Sequence, residues 1–212
     1  MAESGDRRPI AARELTITRK LAGWLVARGA SADAISVAGM VAGLAAGLCL
    51  ALVPDWPEAG WQLWLLAALL IQLRLLANML DGMVAVGRGI ASPAGELFNE
   101  VPDRVSDTAA LVGLGIAAGA PVLGWAAALA AMATAYVRTV GRAAGAPSDF
   151  RGPMAKPHRM ALATAVALWC GLAPVAWSAG VPVVALWIIL ALSLLTAWRR
   201  LHGAYRVLRA RP

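Results

Sequence analysis

Residues 78–107 read NMLDGMVAVGRGIASPAGELFNEVPDRVSD and carry five carboxylates, Asp81, Glu96, Glu100, Asp103 and Asp107. Arg74 lies just ahead of this stretch, and Arg88 and Arg104 lie inside it. At about 100° per residue, Arg74, Asn78, Asp81 and Ala85 share one helical stripe. Glu96, Asn99, Glu100, Asp103 and Asp107 fall within about 100° on a second. Carboxylates that converge in apolar surroundings repel one another unless a cation or a proton sits between them. Hard oxygen donors of this kind suit Mg²⁺, Mn²⁺ or Ca²⁺, and Mg²⁺ is commonly shared with substrate phosphates. Gly82, next to Asp81, leaves room for a ligand at the backbone. The other chemistry open to the set is structural, with Arg74, Arg88 and Arg104 neutralising the acids.

The elements that hold these groups follow from the composition. Of 212 residues only 15% are charged, against about 25% in a soluble domain. Mean hydropathy is +0.68. The apolar residues fall in blocks of roughly 20, the length a helix needs to cross about 30 Å of hydrocarbon. The alternating segments of a transmembrane barrel are absent. The expected fold class is an all-α integral membrane protein forming one domain over residues 1–212. Six transmembrane helices are expected near 32–54, 61–82, 95–119, 121–141, 159–179 and 181–199. A cytoplasmic segment, 1–30, precedes them. Within it residues 10–29 alternate apolar and basic positions. This predicts an amphipathic surface helix with Leu15, Leu21, Trp24 and Leu25 toward lipid and Arg13, Arg19, Lys20 and Arg28 toward headgroups. That segment has no apolar core, which argues against a cleavable signal peptide.

The links near 55–60, 119–121 and 179–181 hold Asp55 and Glu58 but no Lys or Arg, whereas the alternate links and both ends are basic. By the positive-inside rule both termini are cytoplasmic. The expected location is the plasma (inner) membrane, as a multi-pass protein. This asymmetry explains the net charge of +7 without nucleic acid as a partner. Ser31 is suited to cap the first span and Asp33 to its first turn. Trp56, Trp61, Trp64, Trp177 and Trp198 read as interfacial anchors. Cys49 and Cys170 read as small packing residues. A transporter would bring polar groups near the midplane and broken helices in related halves, and neither is visible.

The stretch also resembles the signature of the CDP-alcohol phosphatidyltransferases, D-x2-D-G-x2-A-R-x8-G-x3-D-x3-D. Here it reads Asn78-x2-Asp81-Gly82-x2-Ala85-Val86-x8-Gly95-x3-Asn99-x3-Asp103, with every spacing kept. Two Asp positions hold Asn and the Arg position holds Val86. The resemblance implies transfer of a phosphatidyl group from a CDP-linked lipid, such as CDP-diacylglycerol, to an alcohol, with release of CMP in phospholipid synthesis. It implies one or two Mg²⁺ or Mn²⁺ ions and a homodimer. The donor would enter sideways from the bilayer lipids and the acceptor from the cytoplasm. Carried over position by position, Asn78, Asp81, Asn99 and Asp103 are the metal positions, and Asp103 is also the general base. Gly82, Ala85 and Gly95 line the nucleotide and donor site, joined by Arg88 from the facing stripe. Glu100 lies on the same face as Asn99 and joins the metal set; Arg74, Glu96 and Asp107 are accessory. The departures leave open a catalytically silent relative that binds nucleotide or lipid or scaffolds a partner.

Arg138 and Arg142 are four residues apart and share a helix face; Arg151, Lys156, His158 and Arg159 follow. Family members keep basic residues here, and the planar fork of Arg suits phosphate. Arg138, Arg142, Lys156 and Arg159 are therefore the expected grip on a small acceptor, phosphorylated as in an inositol or glycerol phosphate. The alternative is that the cluster only follows the charge bias of cytoplasmic loops. His158 reads as a polar interface residue.

Overall fold

The structure, a computed structural model, describes residues 16–89 and 93–210, and for residues 93–96, 98 and 99 the backbone only. Among the described residues it is all helical and contains no strand. The elements are α1 (Thr16–Ala27), α2 (Ala32–Leu52), α3 (Gly60–Gly87), α4 (Pro93–Ala117), α5 (Pro121–Ala143), α6 (Lys156–Leu172), α7 (Val175–Ser178) and α8 (Val181–Arg209). A single 3₁₀ turn, Pro57–Ala59, leads into α3.

Local chemistry sets the boundaries. Ser31 caps α2, its Oγ accepting the Ala34 N–H at 3.3 Å, with Asp33 in the first turn, as these residue types predict. Gly119 (φ 65°) closes α4 in the left-handed conformation and Gly180 (φ 78°) does the same ahead of α8, a conformation that costs glycine least. Two helices outrun the expected spans. α3 continues to Gly87 and α8 to Arg209; the added turns of α8 are polar and basic, so hydropathy does not register them, whereas residues 83–87 of α3 are apolar and simply extend the helix past Asp81. α6 stops at Leu172, short of the expected 179. Pro174 forces the preceding Ala173 into an extended conformation, as proline does to the residue before it.

Four segments are long and apolar enough to cross a membrane: Ala32–Leu52, Pro57–Gly87, Pro121–Ala143 and Val175–Arg209. The chain is therefore a helical membrane protein. The outward faces of these helices are apolar, with Leu48, Leu69, Leu129 and Trp187 exposed. α4 and α6 lie where two more spans were expected but fall outside this set; α4 carries the acids, and α6 is 17 residues long. Of the expected surface helix, residues 10–15, including Arg13 and Leu15, lie outside the described residues. Its remainder is α1, which packs on α3 with Thr18 and Ala22 buried and Arg28 stacked over Trp24 at 5.0 Å.

α2 packs against both α3 and α4, more extensively than those two pack on each other. Small residues permit this approach. A Cβ added at Gly39 would lie 2.8 Å from Ala77 Cβ, and one at Gly43 would lie 2.5 Å from Ser106 Cβ. One turn on, Gly47 of α2 faces Ala109 and Gly113 of α4. Such small-residue contacts are how membrane helices come close without a hydrophobic driving force between them. The core below is formed by Leu50, Leu111, Leu114, Leu186 and Ile189 around Trp64. Trp64 thus corrects the sequence reading: it is 7% exposed, because it shares the inward face of α3 with Ala67, Ala68 and Ile71. Trp56, Trp61, Trp177 and Trp198 are exposed. Cys49 and Cys170 are free thiols packed against the core.

The α2–α4 contact yields a first prediction. Gly43→Val should destabilise the protein by about 1–3 kcal/mol, the usual range for overpacking. Gly23→Ala, where nothing lies within 4 Å of the added Cβ, should be close to neutral. Thermal unfolding in detergent would compare the two.

Candidate active site

Three helices bring charge to one buried point. α3 presents Arg74, Asn78 and Asp81 along one stripe, with Arg74 and Asp81 buried. α4 presents Glu100, Asp103, Arg104 and Asp107 along another, with Asp103 and Asp107 buried. The first turn of α6 adds Lys156 and the fully buried Arg159. Buried charges are retained only when paired and hydrogen-bonded, and the pairing here is dense.

Asp103 is its centre. Its Oδ1 accepts from the Arg74 guanidinium and from Asn78 Nδ2 at 2.8 Å. Its Oδ2 lies 2.5 Å from Lys156 Nζ and 3.5 Å from Arg104 Nη2. Lys156 Nζ also donates to Asn78 Oδ1 at 3.3 Å. One turn further along α4, Asp107 Oδ2 pairs with Arg159 Nη2 at 3.3 Å. Arg159 Nη1 in turn donates to the Met154 carbonyl at 2.7 Å. One turn before Asp103, Glu100 pairs with Arg138 at 2.7 Å and Arg104 at 3.7 Å. Pro102 lies inside α4 and removes one backbone donor beside Asp103; the Ser106 hydroxyl donates to its carbonyl at 2.7 Å.

Asp81 differs. Among the described residues it forms no ion pair. Its Oδ2 accepts from Ser36 Oγ of α2 and its Oδ1 from its own Gly82 N–H, both at 2.5 Å. A buried carboxylate held by neutral donors must take up a proton or meet a cation. Asn78 lies three residues away on the same face and offers an amide oxygen. Asp107 Oδ1 is also buried with no hydrogen-bond partner. These hard oxygens suit a divalent ion in chemistry. Among the described residues, however, no group of three His, Cys, Asp or Glu side chains is arranged to hold one.

The other predicted residues fall as follows. Gly82 and Ala85 are half-buried on α3. Val86 is exposed. Arg88, which caps α3, is exposed and donates to the carbonyls of Gly29 and Ala30 at 3.2 and 2.8 Å, so it holds the α1–α2 turn. Gly95, Glu96 and Asn99 lie on α4, and their side chains lie outside the described residues. Lys156 and Arg159, expected beside Arg138 and Arg142, point instead into the carboxylates. Arg142 and His158 are exposed.

Arg138 borders a second space of about 440 Å³ with Phe150, Asp149, Arg151 and Arg200. Its guanidinium stacks on Phe150 at 4.8 Å. Burial raises the pKa of Asp149, but hydrogen bonds from the Arg151 side chain and N–H outweigh this and hold it below the usual carboxylate range. Arg200 pins the loop, its Nε donating to the Arg151 carbonyl at 2.9 Å and its Nη1 to the Thr134 carbonyl at 2.8 Å. Thr196 Oγ1 accepts the Met154 N–H at 3.0 Å. Sequence reasoning missed Thr196 and Arg200. The available signal was a buried polar stripe, Ser193, Thr196 and Arg200, at helical spacing along the otherwise apolar α8. A third space, an apolar groove of about 640 Å³, runs between α2, α4 and α5, with Leu48, Val105, Val112 and Met132 along it and Arg104 among its lining.

No family model matches the chain. A curated relative, phosphatidylinositol phosphate synthase of Mycobacteroides abscessus, is 29% identical over 197 residues, covering 88% of this chain and 83% of that protein. Crystal structures of Mycobacterium tuberculosis phosphatidylinositol phosphate synthase share the fold at 23% identity. The one with CDP-DAG bound has a TM-score of 0.75 over 90% of this chain and 94% of its own. The one with manganese and citrate has a TM-score of 0.74 over 89% and 88%. These relatives bear out the resemblance that the signature carries.

The Asp107–Arg159 pair yields the second prediction. Asp107→Leu leaves a buried guanidinium without its counter-charge and should cost about 3–5 kcal/mol. Adding Arg159→Met should recover most of that loss. Unfolding midpoints of the two single variants and the double variant would measure the coupling.

Proposed function

We infer that this chain is a CDP-alcohol phosphatidyltransferase, which moves a phosphatidyl group from a CDP-linked lipid such as CDP-diacylglycerol to an alcohol and releases CMP. The observation that carries this reading is the unbroken signature spacing from Asn78 to Asp103. Its two surviving aspartates are buried at the junction of α2, α3, α4 and α6, in the fold of a relative that binds CDP-DAG. The cofactor is Mg²⁺ or Mn²⁺, and a structural relative holds manganese.

Each part of the site has work to do in that reaction. Asp81, Asn78, Asn99 and Asp103, with Glu100 beside them, offer the oxygens for the ion, and Ser36 fixes the orientation of Asp81. A divalent ion bound there screens the charge of the donor pyrophosphate, so that phosphorus can be attacked. Gly82, Ala85 and Gly95 leave room for the nucleotide, with Arg88 at the rim. Asp103 takes the proton of the acceptor hydroxyl as it attacks. Arg74, Glu96 and Asp107 support these groups. The apolar groove beside Arg104 suits the donor's acyl chains, arriving from the bilayer. The pocket bordered by Arg138, Arg151 and Arg200 suits an acceptor phosphate, which favours a phosphorylated alcohol such as inositol phosphate. Arg142, in the last turn of α5, raises the positive potential at that end, while Lys156 and Arg159 face the acids.

The topology that fits this chemistry has six spans, with α4 and α6 crossing beside the four apolar segments. α1 lies on the surface, both termini are cytoplasmic, and the membrane is the plasma membrane. The protein acts as a homodimer. One observation favours a second reading. Asp103 is already engaged by Arg74, Asn78 and Lys156, as it would be in a silent relative that binds the nucleotide or lipid without turnover.

Activity separates the two readings. The protein in lipid, with CDP-diacylglycerol and Mn²⁺, should release CMP with one of glycerol phosphate, inositol phosphate or serine, and chelation should stop it. Asp81→Asn and Asp103→Asn should each lower the rate by about 10²-fold or more. Ser36→Ala should weaken Mn²⁺ binding by about 10- to 100-fold, the usual effect of losing a residue that orients a ligand. CDP-diacylglycerol binding without CMP release would establish the silent relative.

A further inference from the structure

The first and last acidic positions of the signature are joined here by a side chain from outside it. Lys156 of α6 places its ammonium 2.5 Å from Asp103 Oδ2 and 3.3 Å from Asn78 Oδ1. The lysine side chain is 9% exposed, so the contact is not a solvated surface pair. Asn78 is suited to the arrangement. Its amide donates to the other oxygen of Asp103 at 2.8 Å, which turns its own carbonyl oxygen toward Lys156. An ammonium is a compact cation with three donors and engages the same hard oxygens that ligate Mg²⁺. An amide at position 78 brings the oxygen without the negative charge that a second divalent ion would need.

The rest of the cluster agrees with a reduced metal complement. Glu100, Asp103 and Asp107 each face a lysine or arginine. Buried Asp81 forms no ion pair among the described residues, and neutral donors hold it. Lys156 thus fills the Asn78–Asp103 side, and Asp81 is the acid left for an added cation.

We propose that Lys156 is a built-in cation that occupies the place of a second divalent ion, so that the site takes one Mg²⁺ or Mn²⁺ per chain, on Asp81. The proposal rests on the transferase reading above. Its consequence for the reaction is that one fixed positive charge facing the donor pyrophosphate comes from the chain itself. Asn78 and Lys156 then form a matched pair: restoring Asp at 78 and removing the amine at 156 restores the second ion site.

The test counts ions. The full-length protein in nanodiscs of zwitterionic lipid is titrated with Mn²⁺, free Mn²⁺ is read by electron paramagnetic resonance, and empty discs are subtracted. The expected result is one Mn²⁺ per chain for the wild type and two for the Asn78→Asp, Lys156→Met double variant. Two ions or none in the wild type overturns the proposal, as does a folded double variant that still binds one. If the double variant fails to fold, the wild-type count decides alone. CMP release from CDP-diacylglycerol by the same wild-type sample separates the two levels. Release with two bound ions overturns the lysine proposal and leaves the transferase standing. Absence of release with every acceptor overturns the transferase reading and, with it, the proposal built on it.

Discussion

The pairing of Asp103 with Arg74 and Lys156 joins three helices at one carboxylate. An isolated carboxylate in the apolar interior of a bundle costs several kcal/mol even after relaxation. Asp103 is buried, so its partners must arrive with it, and they come from α3 and α6. Asp107 and Arg159 repeat the tie between α4 and α6 one turn away. The same demand keeps the loop before α6 in place, because Arg159 also holds the Met154 carbonyl and Thr196 holds its N–H.

Small residues make room for that charge. Without Gly39, Gly43 and Gly47, α2 could not lie close to both α3 and α4, and the Ser36 hydroxyl would not reach Asp81. The glycines of α2 and the serine near its start thus serve one end, bringing a neutral donor to an acid that has no ion pair among the described residues. A cationic residue at position 36 would neutralise Asp81 outright.

The chain's helices were legible because hydropathy blocks of about 20 residues have few alternative readings, and Ser31, Gly119 and Pro174 mark boundaries by local chemistry. Legibility failed where a contact joined distant segments. Trp64 reads as an interfacial anchor until its neighbours on the inward face of α3 are counted. Lys156 and Arg159 read as part of a basic loop, since sequence gives no sign that the first turn of α6 faces α4, some fifty residues away. Arg200 was passed over because it follows an apolar run near the end of α8, where positive charge is ordinary. The signature stripe itself was visible, since residue type and spacing alone place Asn78, Asp81 and Asp103 on facing helix sides.

The distribution of charge bears on how a site with two amides at acidic positions can remain coherent. Extra acids at positions 100 and 107 could in principle make up the lost charge. In this structure both are paired with arginines, Glu100 with Arg138 and Arg104, Asp107 with Arg159. Each of these acids thus already meets a cation of the chain, although Asp107 keeps one buried oxygen without a hydrogen-bond partner. The cations that face Asp103 likewise belong to the chain itself, Arg74 and Lys156. On the transferase reading proposed above, a pyrophosphate at this site would meet the fixed cations Arg74 and Lys156. Preorganised charge of this kind needs no rearrangement when an anion arrives.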